Sequence, residues 1–374
     1  MSELRTPLTV AYDAAAAVAD DLGVSVAADY GDPAGEERAF TDGAALVDRC
    51  ARGAVLVEGP DALKFLQSLL SQDIDALADG QGTHALLLQP QGKLDTDLRL
   101  LRVGDAAWLD CEVGRGEALT ASLRRFKIRI KAEVEDRTGD WGCLMLRGPE
   151  VAARVEAAGG PALPSEAHAH VPWARGTGGV PPTAAAGAAK GSGTGATRLV
   201  RADWPGGPSG ADLAGPVGEL AGVWTALVAA GFTPAGLTAY EAARVRAGVP
   251  RQGLDIDEKT IPQEAFLEVD AVSFTKGCFL GQELVCRIDT RGHVNRLLRG
   301  LRIDQGGIDT TPPAGAGIVV GDKEVGALTT VARSEGGVVA LGYVRREVEL
   351  PADVLVRWDG GEAPAVAAAL PERP

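Results

Sequence analysis

Two hydrophobic periods alternate along the chain. The run AVLVE (54–58) reads as a strand, and Gly59-Pro60-Asp61 breaks it and offers Asp61 as a helix N-cap. In the segment DALKFLQSLL that follows, Leu63, Leu66 and Leu70 recur at helical spacing, flanked by Ala62, Phe65 and Leu69. A second unit repeats this order: a short apolar run at 144–146, then Arg147-Gly148-Pro149-Glu150, then the helical VAARVEAAG. The repetition fits either a duplicated unit or ordinary strand-to-helix punctuation. Between the two, 84–88, 98–103 and 108–111 read as strands and 117–125 as a helix. Helices are predicted over 217–230 and 238–247. Beyond 296 the pattern becomes strand-rich: 298–303, 317–320, 325–331, 338–343 and 354–358 are short runs split by Gly, Pro and Asp. This pattern predicts an α+β fold with a small C-terminal β-barrel, not a doubly wound sheet.

Length and composition narrow the picture. The 374 residues suffice for two or three domains, and 45% hydrophobic residues exclude a disordered chain. A net charge of −14 repels phosphate backbones, so nucleic acid is not an expected partner. A local basic pocket for a small anion remains compatible. The N-terminal alanines are interrupted by Asp13, Asp20 and Asp21, which does not read as a signal peptide. No window approaches the roughly 20 apolar residues that span a bilayer. A cytoplasmic protein with no membrane partner is expected. Cys50, Cys111, Cys143, Cys278 and Cys286 are odd in number and include no CxxC pair, so free thiols are expected, and no metal site. Residues 159–198 are rich in Gly, Ala and Pro and read as a flexible insertion. The GSGTG within it lacks the lysine and flanking elements of a phosphate loop.

The chemistry concentrates in TKGCFLGQELVCR (275–287). Gly277 and Gly281 permit a tight path, and Gln282 and Glu283 open a helix. Cys278 therefore precedes a helix N-terminus, close in sequence to Lys276, and both would favour a thiolate. Cys278 is either a reactive thiol supported by Lys276 or a small buried residue of a tight loop. Cys286 falls within the helix and reads as core.

Lys276, Gly277, Cys278, Phe279, Gly281, Gln282 and Glu283 match K-G-C-[FY]-x-G-Q-E, and on this motif the chain resembles the YgfZ family of tetrahydrofolate-binding proteins. That family is related to the aminomethyltransferase (T-protein) of glycine cleavage. Arg287, Gly292 and Arg296 also fit its pattern. The segments 47–81 and 237–265 are similar to blocks of the wider superfamily, whereas the first 45 residues carry no usable resemblance. The resemblance implies a multi-domain ring around a central folate site. It divides the chain into an N-terminal extension (1–45), folate-binding α+β domains (46–158 and 199–296), the insertion (159–198) and the barrel (297–370). Such a site needs an apolar or aromatic wall for the pterin, a carboxylate for its paired N–H donors, and a cation for the glutamate tail. By resemblance Tyr240 is the folate-contacting aromatic, and Arg244 matches a motif arginine of the same helix. Arg52 replaces a bulky pocket residue, where it can stack on the ring, pair with the tail or face solvent. Arg246 stands where the motif has Glu. Asp212 is a candidate for the pterin edge. Asp97 matches one member of the T-protein Asp-Asp pair, and Thr96 replaces the other. Glu264 either orients the loop carrying the motif or lies on the surface.

Two functions follow as expectations. The first is a folate-dependent accessory protein for iron–sulfur enzymes, holding tetrahydrofolate or a one-carbon derivative and meeting iron–sulfur client proteins or assembly factors. Too few cysteines are present to hold a stable cluster by thiolates alone, which leaves Cys278 a transient role. The second is a tetrahydrofolate-dependent aminomethyl- or methyltransferase, which the missing carboxylate at Thr96 disfavours. A folate-binding module without chemistry is a third, plainer reading.

Overall fold

The computed structural model describes residues 4–173, 193–207, 210–304 and 311–371. The strand-to-helix units of the sequence form as expected. Arg52–Glu58 leads into the helix Ala62–Leu69, and Trp141–Arg147 leads into Val151–Ala157. Each joint turns on a glycine of positive φ, 118° at Gly59 and 128° at Gly148. A side chain at either glycine would collide with backbone: Cβ would stand 2.7 Å from the Lys131 carbonyl or 2.3 Å from that of Gly43. Asp61 does not cap its helix. Its carboxylate instead accepts from the Lys131 amide, which ties the joint to the neighbouring edge strand.

These units belong to two antiparallel-dominated sheets. The first has five strands in the order Gly82–Leu88, Leu94–Val103, Ala106–Val113, Arg52–Glu58, Glu133–Asp136. Helices Ala62–Leu69 and Gly116–Phe126 cover one face, where Phe65, Leu66, Leu98, Leu100, Leu119 and Leu123 make the core. The second has six strands, with Trp141–Arg147 at its centre between Gly210–Pro216 and Ala45–Asp48. The helix Val217–Ala229 packs on it through Leu220, Val223, Trp224 and Leu227. The sheets meet at Trp108 and Trp141, whose rings stack at 3.8 Å. The C-terminal strands close into a six-stranded barrel, sealed by Arg296–Ile303 against Gly361–Ala368. The α+β class and the C-terminal barrel follow the sequence pattern. The centre of the expected insertion, 174–192, lies outside the described residues. Its flanks contribute the strands His170–Pro172 and Arg198–Arg201 to the six-stranded sheet. Among the described residues, no helix is long and apolar enough to cross a membrane.

Residues before 45 join the same body. The hairpin of Ala17–Asp21 and Val24–Asp29 lies against the helix Leu237–Arg246. What fixes it is a buried ion network. Arg49 binds Asp21 at 2.7 Å and Glu112 at 2.6 Å. Arg251 binds Asp21 at 2.6 Å, Glu112 at 3.0 Å and Glu241 at 2.6 Å. Arg244 bridges Glu241 to Asp255, and Asp255 accepts from Thr329 and Thr330 of the barrel. The network spans the hairpin, the first sheet, the helix and the barrel. Removing one partner strands several desolvated charges, so Arg251→Met is expected to lower unfolding free energy by about 3–5 kcal/mol. The exposed pair Arg357–Glu362 sets the comparison: Arg357→Met should cost less than about 1 kcal/mol in the same urea titration.

Candidate functional site

A cavity of about 630 Å³ opens where the two sheets, the helix Leu237–Arg246 and the segment 249–270 converge. Strand alternation builds its floor. Asp97 and Arg99 share one face of Leu94–Val103, and Asp110 and Glu112 share one face of Ala106–Val113. His84 lies directly across from Arg99, and Arg99 directly across from Asp110. The floor is therefore a ladder of alternating charge. Arg147 donates to Asp212 (2.8 Å), and Arg99 donates to Asp212 (2.5 Å) and Asp110 (2.6 Å). Arg52 donates to Asp110 (2.6 Å) and Glu112 (3.4 Å), where the ladder enters the ion network. Burial alone would raise the Asp212 and Glu112 carboxyls. The flanking guanidiniums, Arg147 and Arg99 at one and Arg49 and Arg251 at the other, outweigh it and hold both below the usual carboxylate range.

Asp97, Asp212, Arg52 and Tyr240 all line this cavity. Arg52 is a rung of the ladder, paired within the wall while its side chain still lines the cavity. Tyr240 is only 3% exposed, and its ring lies under the guanidiniums of Arg49 (4.7 Å) and Arg251 (5.6 Å). Trp204, which the sequence reading passed over, supplies the broader aromatic wall. It stacks on Phe40 and carries Arg147 over its ring at 5.1 Å.

Arg244 does not reach the cavity. It is 0% exposed, and its five donors are spent on Glu241, Asp255, Thr330 and the Val249 carbonyl. It holds the helix to the barrel and has no donor left for a ligand. Arg246 turns away to Glu37 and Ser334. Glu264 is buried and clips Arg296, at the first barrel strand, with contacts of 2.9 and 3.2 Å.

A second unforeseen group faces the cavity. The Nε2 of His84 meets Asp97, and its Nδ1 meets Asp270 at 3.2 Å. Burial opposes charge on this ring, but the carboxylates on both sides overcome it and raise His84 to about 10. Nearby His168 goes the other way, down to about 4, through burial and the positive charge of Arg99 and His84. The only sequence signal for His84 was its place in a strand one hairpin away from Asp97. Nothing in the sequence joined Asp270 to either.

The KGC segment is built differently from its expected form. Cys278 is exposed, and Phe279 is buried against Leu88 and Val285 in the central core. Gly281 takes a φ of 77°, and a Cβ there would stand 2.3 Å from the Gln89 carbonyl, so the turn presses on the hairpin tip 89–92. Gln282 accepts from the Phe279 amide, Glu283 is exposed, and Gly277 stands in open space. The Lys276 ammonium is committed to backbone. Its Nζ donates to the carbonyls of Gln67 (2.8 Å), Leu70 (2.7 Å) and Gln72 (2.8 Å), at the C-terminal end of Ala62–Leu69. Three donors on three orphan carbonyls make it a latch. Among the described residues no cluster of His, Cys, Asp or Glu is arranged to hold a metal ion.

Residues 10–186 match the model of the GCVT N-terminal domain. An aminomethyltransferase of Rubrobacter xylanophilus is 28% identical, over 94% of this chain and 90% of its own length. One of Chlorobaculum parvum is 29% identical over 76% of this chain and 75% of its own. Among solved structures, the glycine cleavage system aminomethyltransferase T of Bartonella henselae superposes with a TM-score of 0.81 at 24% identity, over 99% of this chain and 98% of that one. The chain thus has a T-protein-like fold and a T-protein-like relationship.

Two measurements probe this site. The raised His84 charge state stabilises the fold fully below about pH 6.5, and that contribution is lost as pH climbs through about 10. In an NMR titration the His84 ring should stay protonated through neutrality, and Asp97→Asn should bring its midpoint down into the neutral range. For the latch, Lys276→Met should speed alkylation of Cys278 several-fold by freeing the segment that carries it. A slower reaction would instead restore Lys276 as the thiol's electrostatic partner.

Proposed function

We propose that this chain is a tetrahydrofolate-binding accessory protein of the YgfZ kind, supporting the assembly or repair of iron–sulfur enzymes through Cys278. The observation that carries the folate part is the cavity: its volume of about 630 Å³ suits a drug-sized ligand, and Trp204 beside buried, ionised carboxylates suits a flat heterocycle with N–H donors. Asp212, on the cavity floor, is the acceptor for the pterin edge. Tyr240 and Arg52 shape the wall around it. When bound, tetrahydrofolate supplies a nitrogen carrier for a one-carbon unit. The accessory role rests on the KGCFLGQE string and on an exposed Cys278, open to iron–sulfur clients or assembly factors arriving from solvent.

The second reading is folate-dependent aminomethyl or methyl transfer. It is favoured by aminomethyltransferase relatives that align along nearly the whole chain. Against it stands Thr96, 1% exposed with its hydroxyl on Asp95, in place of a second carboxylate beside Asp97.

Isothermal titration of the purified protein with tetrahydrofolate should show one site per chain. Trp204→Ala should weaken it by on the order of 1 kcal/mol, about fivefold. Cys278→Ser should bind folate normally, yet fail to restore iron–sulfur enzyme activity in a deletion strain, while Cys286→Ser restores it. Transfer from an aminomethylated carrier to tetrahydrofolate should be absent or very slow. Full complementation by Cys278→Ser would end the accessory reading, and robust transfer would promote the second.

A further inference from the structure

His168 joins the cavity wall with a left-handed backbone, at a φ of 59°, a region that residues with a Cβ rarely adopt. Contacts with both sheets hold it there. Its amide donates to the Arg201 carbonyl at 2.9 Å, and its own carbonyl lies so close to Gly82 that a Cβ on that glycine would stand 2.9 Å away. The charges that act on its ring, those of Arg99, His84, Asp270 and Asp212, all belong to the same wall. Strain of this kind persists where the surrounding structure fixes a side chain for use.

The ring is uncommitted. Arg52 and Arg99 are paired with Asp110, Arg251 with Glu112, Arg201 with Asp203, Asp212 with Arg147, and His84 with Asp97 and Asp270. Among the described imidazole, guanidinium and carboxylate groups of the wall, the His168 ring alone makes no hydrogen bond or ion pair, and its Nδ1 is fully enclosed. Burial and the nearby positive charges keep the ring neutral, so it carries a single proton. An enclosed N–H without an acceptor is costlier than an enclosed lone pair. Nδ1 therefore stays bare, and Nε2 is left as one uncharged donor.

Asp212 lies close by in the sheet. His168 is bonded to Arg201, Arg201 stands across from Ala211, and Ala211 adjoins Asp212. On the folate reading given above, Asp212 accepts from the N–H donors of the pterin edge. In a pterin the donor at N3 is followed directly by the 4-carbonyl. We infer that His168 is a specificity-determining contact whose Nε2–H donates to that carbonyl and selects 4-oxo folates over 4-amino analogues. The inference rests on the folate reading. An amine at position 4 sets a second donor against Nε2–H, and neither finds an acceptor.

The full-length protein is titrated calorimetrically with tetrahydrofolate and with tetrahydroaminopterin, its 4-amino counterpart. The wild type should bind tetrahydrofolate at least about tenfold more tightly. His168→Phe keeps a ring but removes the donor: affinity for tetrahydrofolate should fall about tenfold, and that for the 4-amino analogue should change less than about twofold. His168→Gln, which carries an N–H at similar reach, should recover most of the loss. His168→Gly separates binding from folding. Glycine adopts the left-handed backbone freely, so the urea midpoint should hold while tetrahydrofolate affinity falls as in the Phe variant. If the wild type does not distinguish the two ligands, or if His168→Phe keeps both affinities or loses both equally, the inference is overturned and the folate reading stands. If the wild type binds neither ligand, both are overturned.

Discussion

A charge buried at a junction must find its partner there, and in this chain one junction holds six such groups. Arg49, Arg244 and Arg251 are removed from water together with Asp21, Glu112 and Asp255, and the half-buried Glu241 joins Arg244 to Arg251. Desolvating any of them alone is prohibitive, so each conformation in which the hairpin, the first sheet, the helix Leu237–Arg246 or the barrel is misplaced leaves an unpaired ion. The network acts as a register for the whole molecule. Glu112 and Arg251 also line the cavity. Whatever fixes the assembly of the bodies therefore also fixes the wall that a ligand meets.

The parts of the fold that were legible are those where side-chain period decides structure. The helix at Ala62 and the barrel strands fell where apolar residues recur. The closing strand Gly361–Ala368 did not show, because its inward positions are alanines and Pro364 interrupts the run. Alanine alternation carries little amplitude, and burial of Ala363, Ala365 and Ala367 reflects the tight barrel interior instead. The N-terminal hairpin was equally silent. Its place depends on Asp21 meeting Arg49 and Arg251, contacts that span 28 and 230 residues.

The site divides along the same line. Arg52, Asp97, Asp212 and Tyr240 could be placed near a cavity because each belongs to a recognisable local block. Arg244 shares a helix with Tyr240 but sits a full turn further along it, where the helix meets the barrel, and no local pattern distinguishes the two faces of a helix buried over most of its length. His84, Asp270 and Trp204 were missed for the opposite reason. They are ordinary residues in their own segments and acquire chemical meaning only across strands or between domains.

The KGC segment now has two separable parts. Lys276, Phe279 and Gly281 are anchors: a latch on helix carbonyls, a plug in the central core, and a turn pressed on the tip at Gln89. Cys278 is the part left over, carried at the surface and absent from the cavity wall. Anchors on both sides keep the thiol from swinging inward, since that movement must break three hydrogen bonds at Lys276 and expose Phe279. Cys278 is not among the residues that line the cavity, so a group bound there does not touch the thiol while the segment stays anchored. The same chain links them: Asp270 lies only a few residues before Lys276, and the Gln72 side chain donates to the Asp270 carbonyl while the Gln72 carbonyl accepts from Lys276. Occupancy of the cavity and exposure of Cys278 thus share one short, hydrogen-bonded segment. On the accessory reading proposed above, the thiol's encounter with an external partner, and not with the cavity ligand, is the step this architecture accommodates without rearrangement.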